Sequence, residues 1–114
     1  MSEIDLSLDE TIVNGWTVIR VEGDLDLHTA PRLRDHIHRL AEADVKKLIV
    51  DLIAVDFMDS SGLGALVSGL KRLREREGTM SLVCTSGSVL KVLAITGLDR
   101  AFPIFDSVDE AAAG

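Results

Sequence analysis

The sequence has 114 residues, 46% of them apolar and 27% charged, and we expect a single globular domain over residues 1–114. A net charge of -7 argues against direct nucleic-acid binding, which needs clustered Lys and Arg side chains. The lone cysteine, the acidic N-terminal segment and the lack of an apolar run of about 20 residues lead us to expect a cytoplasmic protein that does not itself enter a membrane.

The beginning of the chain predicts a β-hairpin. Residues 4–9 alternate weakly between apolar and polar side chains, whereas residues 16–22 alternate clearly. Asn14 and Gly15 lie between the two segments, and Asn-Gly is the strongest short-range signal of a two-residue hairpin turn. The first two strands are therefore expected to be antiparallel neighbours.

A helix and a buried strand are predicted next. Thr29 is a suitable N-cap, and Pro31 suits a first helical turn. The helix that they begin has one apolar face, formed by Leu33, Ile37, Leu40 and Ala41. Residues 46–55 are almost continuously apolar, as expected of a strand that is covered on both faces of a sheet.

The second half of the chain predicts alternating helices and strands. A helix from about Ser60 to Glu77 carries a stripe of leucines and is expected to end at Gly78. The remaining elements are a strand over 79–84, a helix over 88–96 that ends at Gly97, a short edge strand over 102–105 containing Pro103, and a last helix that begins at a capping box of Ser107 and Glu110. A hairpin followed by this alternation predicts an α/β fold with a mixed central β-sheet and about four helices.

Residues 56–64, with the sequence DFMDSSGLG, lie where the predicted buried strand gives way to the second helix. Binding sites in open α/β sheets gather beyond the carboxyl ends of strands, and the free N–H groups of a helix start carry partial positive charge. In a structural interpretation, Asp59 or Ser60 caps the helix while Gly62 and Gly64 permit close packing. In a functional interpretation, Ser60 displays its hydroxyl to another protein, and the glycines keep the surrounding surface low. Glycine costs about 1 kcal/mol in a helix interior, so the two glycines are expected to serve a purpose. This cost does not decide between the structural and the functional interpretation.

The segment DFMDSSGLGAL resembles the phosphorylation site of the STAS-domain anti-sigma factor antagonists, also called anti-anti-sigma factors. The likeness extends over nearly the whole chain. GDLD at 23–26 resembles the family's G-E/D-L/I-D loop, HTAPRLRD at 28–35 its first helix, LIVDL at 48–52 its central strand, and ITGLDRAFPIF at 95–105 its final turn and strand. The resemblance implies a STAS-like single domain in a bacterial protein that regulates transcription by partner switching.

The resemblance also implies which residue is modified and by what. The phosphate goes to the first serine after the aspartate, which is Ser60, and its donor is an anti-sigma factor that acts as an ATP-dependent serine/threonine kinase. The unmodified chain binds that kinase and releases a sigma factor, phosphorylation ends the binding, and a serine phosphatase restores it. No cofactor, metal site or catalytic residue is expected. We predict that residues around Ser60 take part in partner binding, namely Asp24, Asp26, His28, Met58, Asp59, Ser61, Gly62, Leu63 and Gly64.

Some of these residues also have simpler interpretations. Asp24 and Asp26 either line the same rim as Ser60 or satisfy backbone donors of their own loop, and the sequence does not decide between the two. His28, in the same loop, is more simply an exposed residue. Ser61 is more simply structural, because the family places its phosphate on the first serine of the pair.

Other functional classes fit the sequence less well. It contains no G-x-x-x-x-G-K-[ST] phosphate loop, and Met58 occupies the position of the first glycine that a G-x-S-x-G motif around Ser60 would need. His36 and His38 are two residues apart on a helix and point to different sides, so a metal site is not expected. A response-regulator receiver would carry a lysine after its last strand, whereas Lys91 precedes it. The alternative within the same fold is an accessory subunit of a lipid-transport ATPase, which involves no sigma factor.

Overall fold

The computed structural model describes residues 6–113. Its elements in chain order are β1 (Leu6–Val13), β2 (Trp16–Leu25), α1 (Ala30–Glu42), β3 (Lys47–Met58), α2 (Ser60–Glu75), β4 (Thr79–Val83), α3 (Gly87–Ile95), a one-turn 3-10 helix (Leu98–Arg100), β5 (Ile104–Phe105) and α4 (Val108–Ala112). The strands form one sheet in the order β1-β2-β3-β4-β5, in which β1 and β2 are antiparallel and all later neighbours are parallel. The predicted α/β fold with a mixed sheet is confirmed.

The hairpin turn lies where the sequence predicts it. Asn14 and Gly15 both adopt left-handed backbone conformations, with φ of 53° and 86°, as a two-residue turn of the type I′ class requires. The turn pairs Val13 with Trp16 and, at the other end of the hairpin, Leu6 with Gly23. Residues 4 and 5 of the first predicted strand lie outside the described residues. β1 extends further toward the turn than predicted, because backbone pairing with β2 holds even its exposed residues in the sheet.

β3 runs to Met58, so the prediction that it ends at residue 55 and leaves Asp56 in a connection is wrong. The reason lies in its pairing with β2, whose last residue, Leu25, aligns with Met58. Two irregularities in the register, between Arg20 and Glu22 and between Gly23 and Leu25 of β2, place extra β3 residues opposite β2. Such bulges interrupt the regular alternation of side chains, and the sequence pattern therefore understates the length of the strand.

The main core lies between the sheet and helices α1, α2 and α3. Leu33 and Ile37 of α1, Leu66 and Leu73 of α2 and Leu93 of α3 are fully buried in it. Cys84 is 1% exposed in the same core, where it packs as a small apolar side chain. Burial of one such leucine or isoleucine contributes roughly 1.5–3 kcal/mol, so these three helices are held mainly by their apolar faces.

A smaller core covers the opposite face of the sheet near the starts of β2 and β3. It contains Trp16, Val18, Ile49, Val83, Ala111 and Ala112. Helix α4 closes it and begins at the predicted cap: the N–H of Glu110 donates to the Ser107 hydroxyl at 3.1 Å. The Glu110 carboxylate accepts in return from the N–H of Asp106 at 3.3 Å, one residue before the cap. Because α4 is only five residues long, Ile53 and Phe57 further along β3 stay 44% and 50% exposed.

The C-terminal ends of the elements differ in detail from the prediction. α2 ends at Glu75, and the left-handed residue that follows it is Glu77, with φ of 64°, so the assignment of that role to Gly78 is wrong. The N–H of Gly78 donates to the Leu73 carbonyl at 2.7 Å, and a Cβ at Gly78 would lie 3.2 Å from that oxygen. Gly97 does end α3 with φ of 78°, as predicted. β5 lies at the sheet edge as predicted, but it has two residues instead of four.

Candidate functional site

Asp59 caps α2 and anchors it to the sheet. Its carboxylate oxygen Oδ1 accepts from the backbone N–H of Ser61 at 2.8 Å and from that of Gly62 at 3.4 Å. The N–H of Asp59 itself donates to the Leu25 carbonyl at 3.1 Å, which joins the helix start to the end of β2. Of the two residues that the sequence offered as the cap, the structure therefore selects Asp59.

Ser60 is the first residue of α2, and its side chain is exposed as predicted. Its hydroxyl has no hydrogen-bond partner among residues 6–113. Ser61, by contrast, is half-buried and contributes its backbone N–H to the cap. The two serines thus differ in environment, and within the described structure the hydroxyl of Ser60 has no structural role.

The loop between β2 and α1 lies beside the helix start because Leu25 pairs with Met58. In this loop the carboxylate of Asp26 accepts from the N–H groups of His28 and Thr29 at 2.9 and 3.0 Å and from the Thr29 hydroxyl at 3.2 Å. Asp26 therefore serves its own loop, the simpler of its two interpretations. Asp24 and His28 are exposed, and the Asp24 carboxylate has no hydrogen bond within residues 6–113.

Thr29 occupies the predicted N-cap position of α1, but its hydroxyl does not bond to the helix. It donates to the Asp24 carbonyl at 2.7 Å and accepts from the Asp26 N–H at 2.9 Å. Thr29 is 3% exposed, so these bonds close the loop from inside. The loop is consequently tied through Thr29 to Asp24 near the end of β2.

The carboxylate of Asp26 predicts a pH dependence of stability. Hydrogen bonds to the Asp26 carboxylate hold its pKa below the usual value of 3.8. The Thr29 backbone N–H contributes most, and the His28 backbone N–H and the Thr29 hydroxyl contribute less, while partial burial acts in the opposite direction. The ionised carboxylate therefore stabilises the folded chain above that usual value, and this contribution is lost as pH falls through the lower folded-state pKa. We expect Asp26→Asn to be less stable than wild type near pH 7, with the difference shrinking toward pH 3.

Urea unfolding at a series of pH values measures this difference. Asp24→Asn is the matched control, because it removes the same charge from the adjoining end of β2 without breaking a side-chain hydrogen bond of the described structure. A gap between wild type and Asp26→Asn that stayed constant from pH 7 to pH 3 would show that the ionised carboxylate does not hold the loop.

The remaining predicted site residues divide into a buried and an exposed group. Met58 and Leu63 are 4% and 8% exposed, and Gly62 is buried between Met58 and Leu25. A Cβ on Gly62 would lie 2.6 Å from Met58 Cγ and 2.9 Å from Leu25 Cβ, so only glycine lets the helix start approach the sheet this closely. Gly64 is exposed, and a Cβ there would meet no atom within 4 Å.

A groove between α1 and α2 adjoins the exposed part of the site. Its volume is about 370 Å³, and its lining includes Leu27, Pro31, Arg34, Ser61, Gly64 and Ser68. Leu27 is 70% exposed although it is apolar. Sequence reasoning missed Leu27 and Arg34, and the one signal that pointed to Leu27 was an isolated apolar residue within an otherwise polar loop. Leu27 thus adds an exposed apolar side chain to the edge of this groove.

The histidines of α1 do not build a metal site. His36 Nε2 lies 2.9 Å from Glu10 Oε1 on β1, while His38 Nε2 lies 2.9 Å from the Ser68 hydroxyl on α2. Within residues 6–113 no cluster of His, Cys, Asp and Glu side chains could hold a metal ion. In the same part of the chain, no helix combines the length and apolar character needed to cross a bilayer.

Comparison with known proteins identifies the family. The family model described as "STAS domain" matches residues 7–111 of the sequence. The chain belongs to the STAS domain family. An anti-sigma-B factor antagonist of Staphylococcus aureus is 28% identical to this STAS domain over 95 residues, which cover 83% of the chain and 88% of the relative. The resemblance drawn from residues 56–66 is thereby confirmed at the level of the family.

Solved structures agree with this STAS assignment. The crystal structure of an anti-sigma factor antagonist from Mycobacterium paratuberculosis superposes with a TM-score of 0.85 at 29% identity, covering 94% of this chain and 91% of the other. The Bacillus cell fate determinant SpoIIAA, solved in its phosphorylated form, gives a TM-score of 0.71 at 27% identity, with 93% and 95% of the two chains covered. The STAS fold of the described residues is therefore shared along almost its full length.

Proposed function

We propose that this STAS domain is an anti-sigma factor antagonist whose binding is switched off by phosphorylation of Ser60. The unmodified chain binds an anti-sigma factor that is also a serine/threonine kinase, and a sigma factor is thereby released in the bacterial cytoplasm. A serine phosphatase reverses the modification. The observation that carries the proposal is the Ser60 hydroxyl, which is exposed on the first turn of α2 and free of the capping role that Asp59 performs.

The names of similar proteins support this choice of partner and modification. The Staphylococcus aureus relative is named for antagonism of an anti-sigma factor, as is the Mycobacterium paratuberculosis structure. SpoIIAA, at comparable identity, was solved in a phosphorylated form. A protein of the same fold that carries a phosphate makes a phosphorylatable serine on this chain a reasonable expectation.

Electrostatics around Ser60 explain how a phosphate would end binding without unfolding the chain. A phosphoserine carries about −1.5 to −2 charges near neutral pH. The start of a helix returns only about 0.3–1 kcal/mol to an exposed anion. Asp59 is adjacent in sequence, and like unit charges about 4 Å apart cost roughly 1 kcal/mol in water and about 4 kcal/mol near a protein surface. The chain therefore has little to gain by folding around its own phosphate, and the modified surface repels a partner that fits a neutral hydroxyl.

The chemistry requires only an acceptor from this chain. The Ser60 Oγ forms a bond to the γ-phosphorus of ATP held by the kinase, the bond to ADP breaks, and the hydroxyl proton passes to a base of the kinase. We propose that the chain itself is not an enzyme and needs no cofactor. His36 forms a hydrogen bond with Glu10 of β1, and His38 forms one with Ser68 of α2. Among the described residues, neither histidine forms a hydrogen bond with Ser60.

The proposed contact surface consists of the exposed residues around Ser60. We include the exposed residues Asp24, His28 and Gly64, which belong to the elements that meet at the start of α2, and the groove lined by Leu27 and Arg34 between α1 and α2. The other predicted site residues support the surface from beneath or within: Asp26, Met58, Asp59, Ser61, Gly62 and Leu63. The glycines therefore have two tasks, since Gly62 permits close packing and Gly64 leaves room for a partner.

Identification of the partner tests the proposal. The purified chain and its Ser60→Asp variant are used in parallel to capture proteins from an extract of the source cells, and captured proteins are identified by mass spectrometry. We expect wild type to retain an ATP-binding kinase that also binds a sigma factor, and Ser60→Asp to retain much less of it. Capture of a membrane-transport ATPase in equal amounts by both proteins would contradict the proposal and favour the accessory-subunit alternative.

A further inference from the structure

Another cavity, of about 350 Å³, lies at the opposite end of the sheet from Ser60. Its lining includes Trp16, Leu70, Arg74, Met80, Ser81 and Pro103. β3 and β4 are parallel, and Lys47 at the start of β3 aligns with Thr79 at the start of β4. The cavity is therefore near the beginning of these strands, whereas Ser60 follows the end of β3.

The cavity exists because β5 is too short to pair with the whole of β4. The N–H of Leu82 donates to the Pro103 carbonyl at 2.9 Å, on the β5 side, while the N–H of Thr79 donates to the Lys46 carbonyl at 2.7 Å, on the β3 side. Alternate residues of a strand direct their backbone groups to opposite neighbours, so the N–H and C=O of Met80 point to the β5 side. No backbone partner for Met80 exists on that side within residues 6–113. Buried backbone groups are nearly always paired with protein or water, so the N–H and C=O of Met80 are available to a hydrogen-bonding group that enters the cavity.

A second polar group in the cavity also lacks a partner. Ser81 is 5% exposed, lines the cavity, and has no hydrogen bond to its hydroxyl within the described residues. Most buried side-chain hydroxyls in proteins are hydrogen-bonded. Ser81 and the Met80 backbone, adjacent in sequence, therefore offer two hydrogen-bond donors and one backbone acceptor to whatever enters.

The charges and apolar surfaces at this cavity indicate the type of ligand. Arg74 lines it and has no ion pair within residues 6–113. The ammonium group of Lys47 lies 5.7 Å from the centre of the Trp16 ring, another part of the lining. Arg74 is thus the charged residue of the lining, in a chain whose net charge is -7. The Trp16 ring, from the smaller core, and the Leu70 side chain, from the main core on the other face of the sheet, both reach the cavity at the edge of β4 and offer apolar contact surface there.

We propose that this cavity binds a small organic carboxylate with an apolar body. Arg74 receives the carboxylate, because a guanidinium matches its two oxygens. The ring of Trp16 and the side chain of Leu70 contact the apolar body, and the Ser81 hydroxyl and Met80 N–H donate hydrogen bonds along the cavity. Its volume falls within the range of about 300–1,000 Å³ that small-molecule sites occupy. This site is separate from the proposed partner switch and does not depend on it.

Titration of the full chain with 3-phenylpropionate and with hexanoate, followed by ¹H–¹⁵N NMR, tests the proposal. We expect at least one of the two acids to cause saturable shifts of the Trp16 indole N–H and of the Met80 and Ser81 amides. The corresponding alcohols, 3-phenylpropanol and hexanol, lack the carboxylate and should bind about tenfold more weakly. Arg74→Met should weaken acid binding to a similar extent, whereas Arg39→Met, which changes an exposed arginine of α1 outside the cavity lining, should leave it unchanged.

The possible negative results separate the parts of the proposal. Shifts by neither acid at its solubility limit would overturn the cavity as a ligand site. Equal binding of acid and alcohol, or undiminished acid binding by a folded Arg74→Met variant, would overturn the recognition of a carboxylate. Since no partner protein takes part in the titration, these outcomes do not depend on whether phosphorylation of Ser60 controls partner binding.

Discussion

Ser60→Ala is expected to leave the chain folded and able to bind its anti-sigma kinase, while phosphorylation and release are abolished. The physical reason is the division of labour at the start of α2: Asp59 accepts the hydrogen bonds that cap the helix, and the Ser60 hydroxyl is exposed. Removal of an exposed hydroxyl that takes no part in capping changes the free energy of unfolding by less than about 0.5 kcal/mol. Calorimetric binding to the kinase, with and without ATP, measures the effect directly.

Ser60→Asp is expected to weaken the binding to the kinase that Ser60→Ala retains. It places a permanent negative charge next to Asp59, so we expect binding to the kinase to weaken by about tenfold or more even without ATP. One carboxylate has less charge than a phosphate, so the loss should be smaller than that caused by true phosphorylation.

Ser61→Ala is the matched control for both Ser60 variants, because it deletes a hydroxyl from the adjacent position. It should still be phosphorylated and released. If the addition of ATP released the Ser60→Ala chain from the kinase as readily as wild type, the assignment of the switch to Ser60 would be contradicted.

The two glycines of the first turns of α2 are expected to respond in opposite ways to the same substitution. Gly62→Ala forces a Cβ against Met58 Cγ and Leu25 Cβ, at 2.6 and 2.9 Å, and should lower the free energy of unfolding by roughly 1–3 kcal/mol. Gly64→Ala meets no atom within 4 Å and should raise it by up to about 1 kcal/mol through better helix propensity. Urea unfolding of both variants measures the difference.

Gly64→Ala also tests the proposed contact surface. Gly64 lies in the groove beside Ser61, so an added methyl group should hinder a closely packed partner although it stabilises the free chain. We expect kinase binding to fall about tenfold, equivalent to about 1.4 kcal/mol. Gain of stability together with unchanged binding would exclude Gly64 from the interface. Loss of stability by Gly64→Ala would instead contradict the open surroundings of this residue.

The fold was predictable largely because local signals agree with its global arrangement. Asn14-Gly15 defined the hairpin, and the apolar stripes of α1 and α2 defined the helix faces that pack on the sheet. The length of β3 was not predictable, since its last residues are held by irregular pairing with β2, which leaves no regular pattern in either strand. Likewise, the left-handed conformation fell on Glu77 and not on the glycine that follows it.

The position of Ser60 at the start of α2 was predictable from the sequence, whereas the hydrogen bonds of the residues around it were not. The sequence pointed to Ser60 but did not decide whether Asp59 or Ser60 caps α2, because both residue types are good caps and only the hydrogen bonds distinguish them. Similarly, the sequence did not show whether Asp24 or Asp26 satisfies backbone donors, and the hydrogen bond from the Thr29 N–H identifies Asp26. The groove lined by Leu27 and Arg34 needs two helices brought together, so no local pattern could reveal its shape.

The most direct test of the partner switch is the location and effect of a single phosphate. The chain is incubated with its cognate anti-sigma kinase and ATP, its mass is measured, and the modified peptide is sequenced by mass spectrometry before the modified chain is returned to the kinase in a binding assay. We expect one added phosphate, on Ser60, and strongly weakened binding to the kinase. A phosphate on Ser61, or a chain phosphorylated on Ser60 that still binds as tightly as the unmodified one, would contradict this expectation.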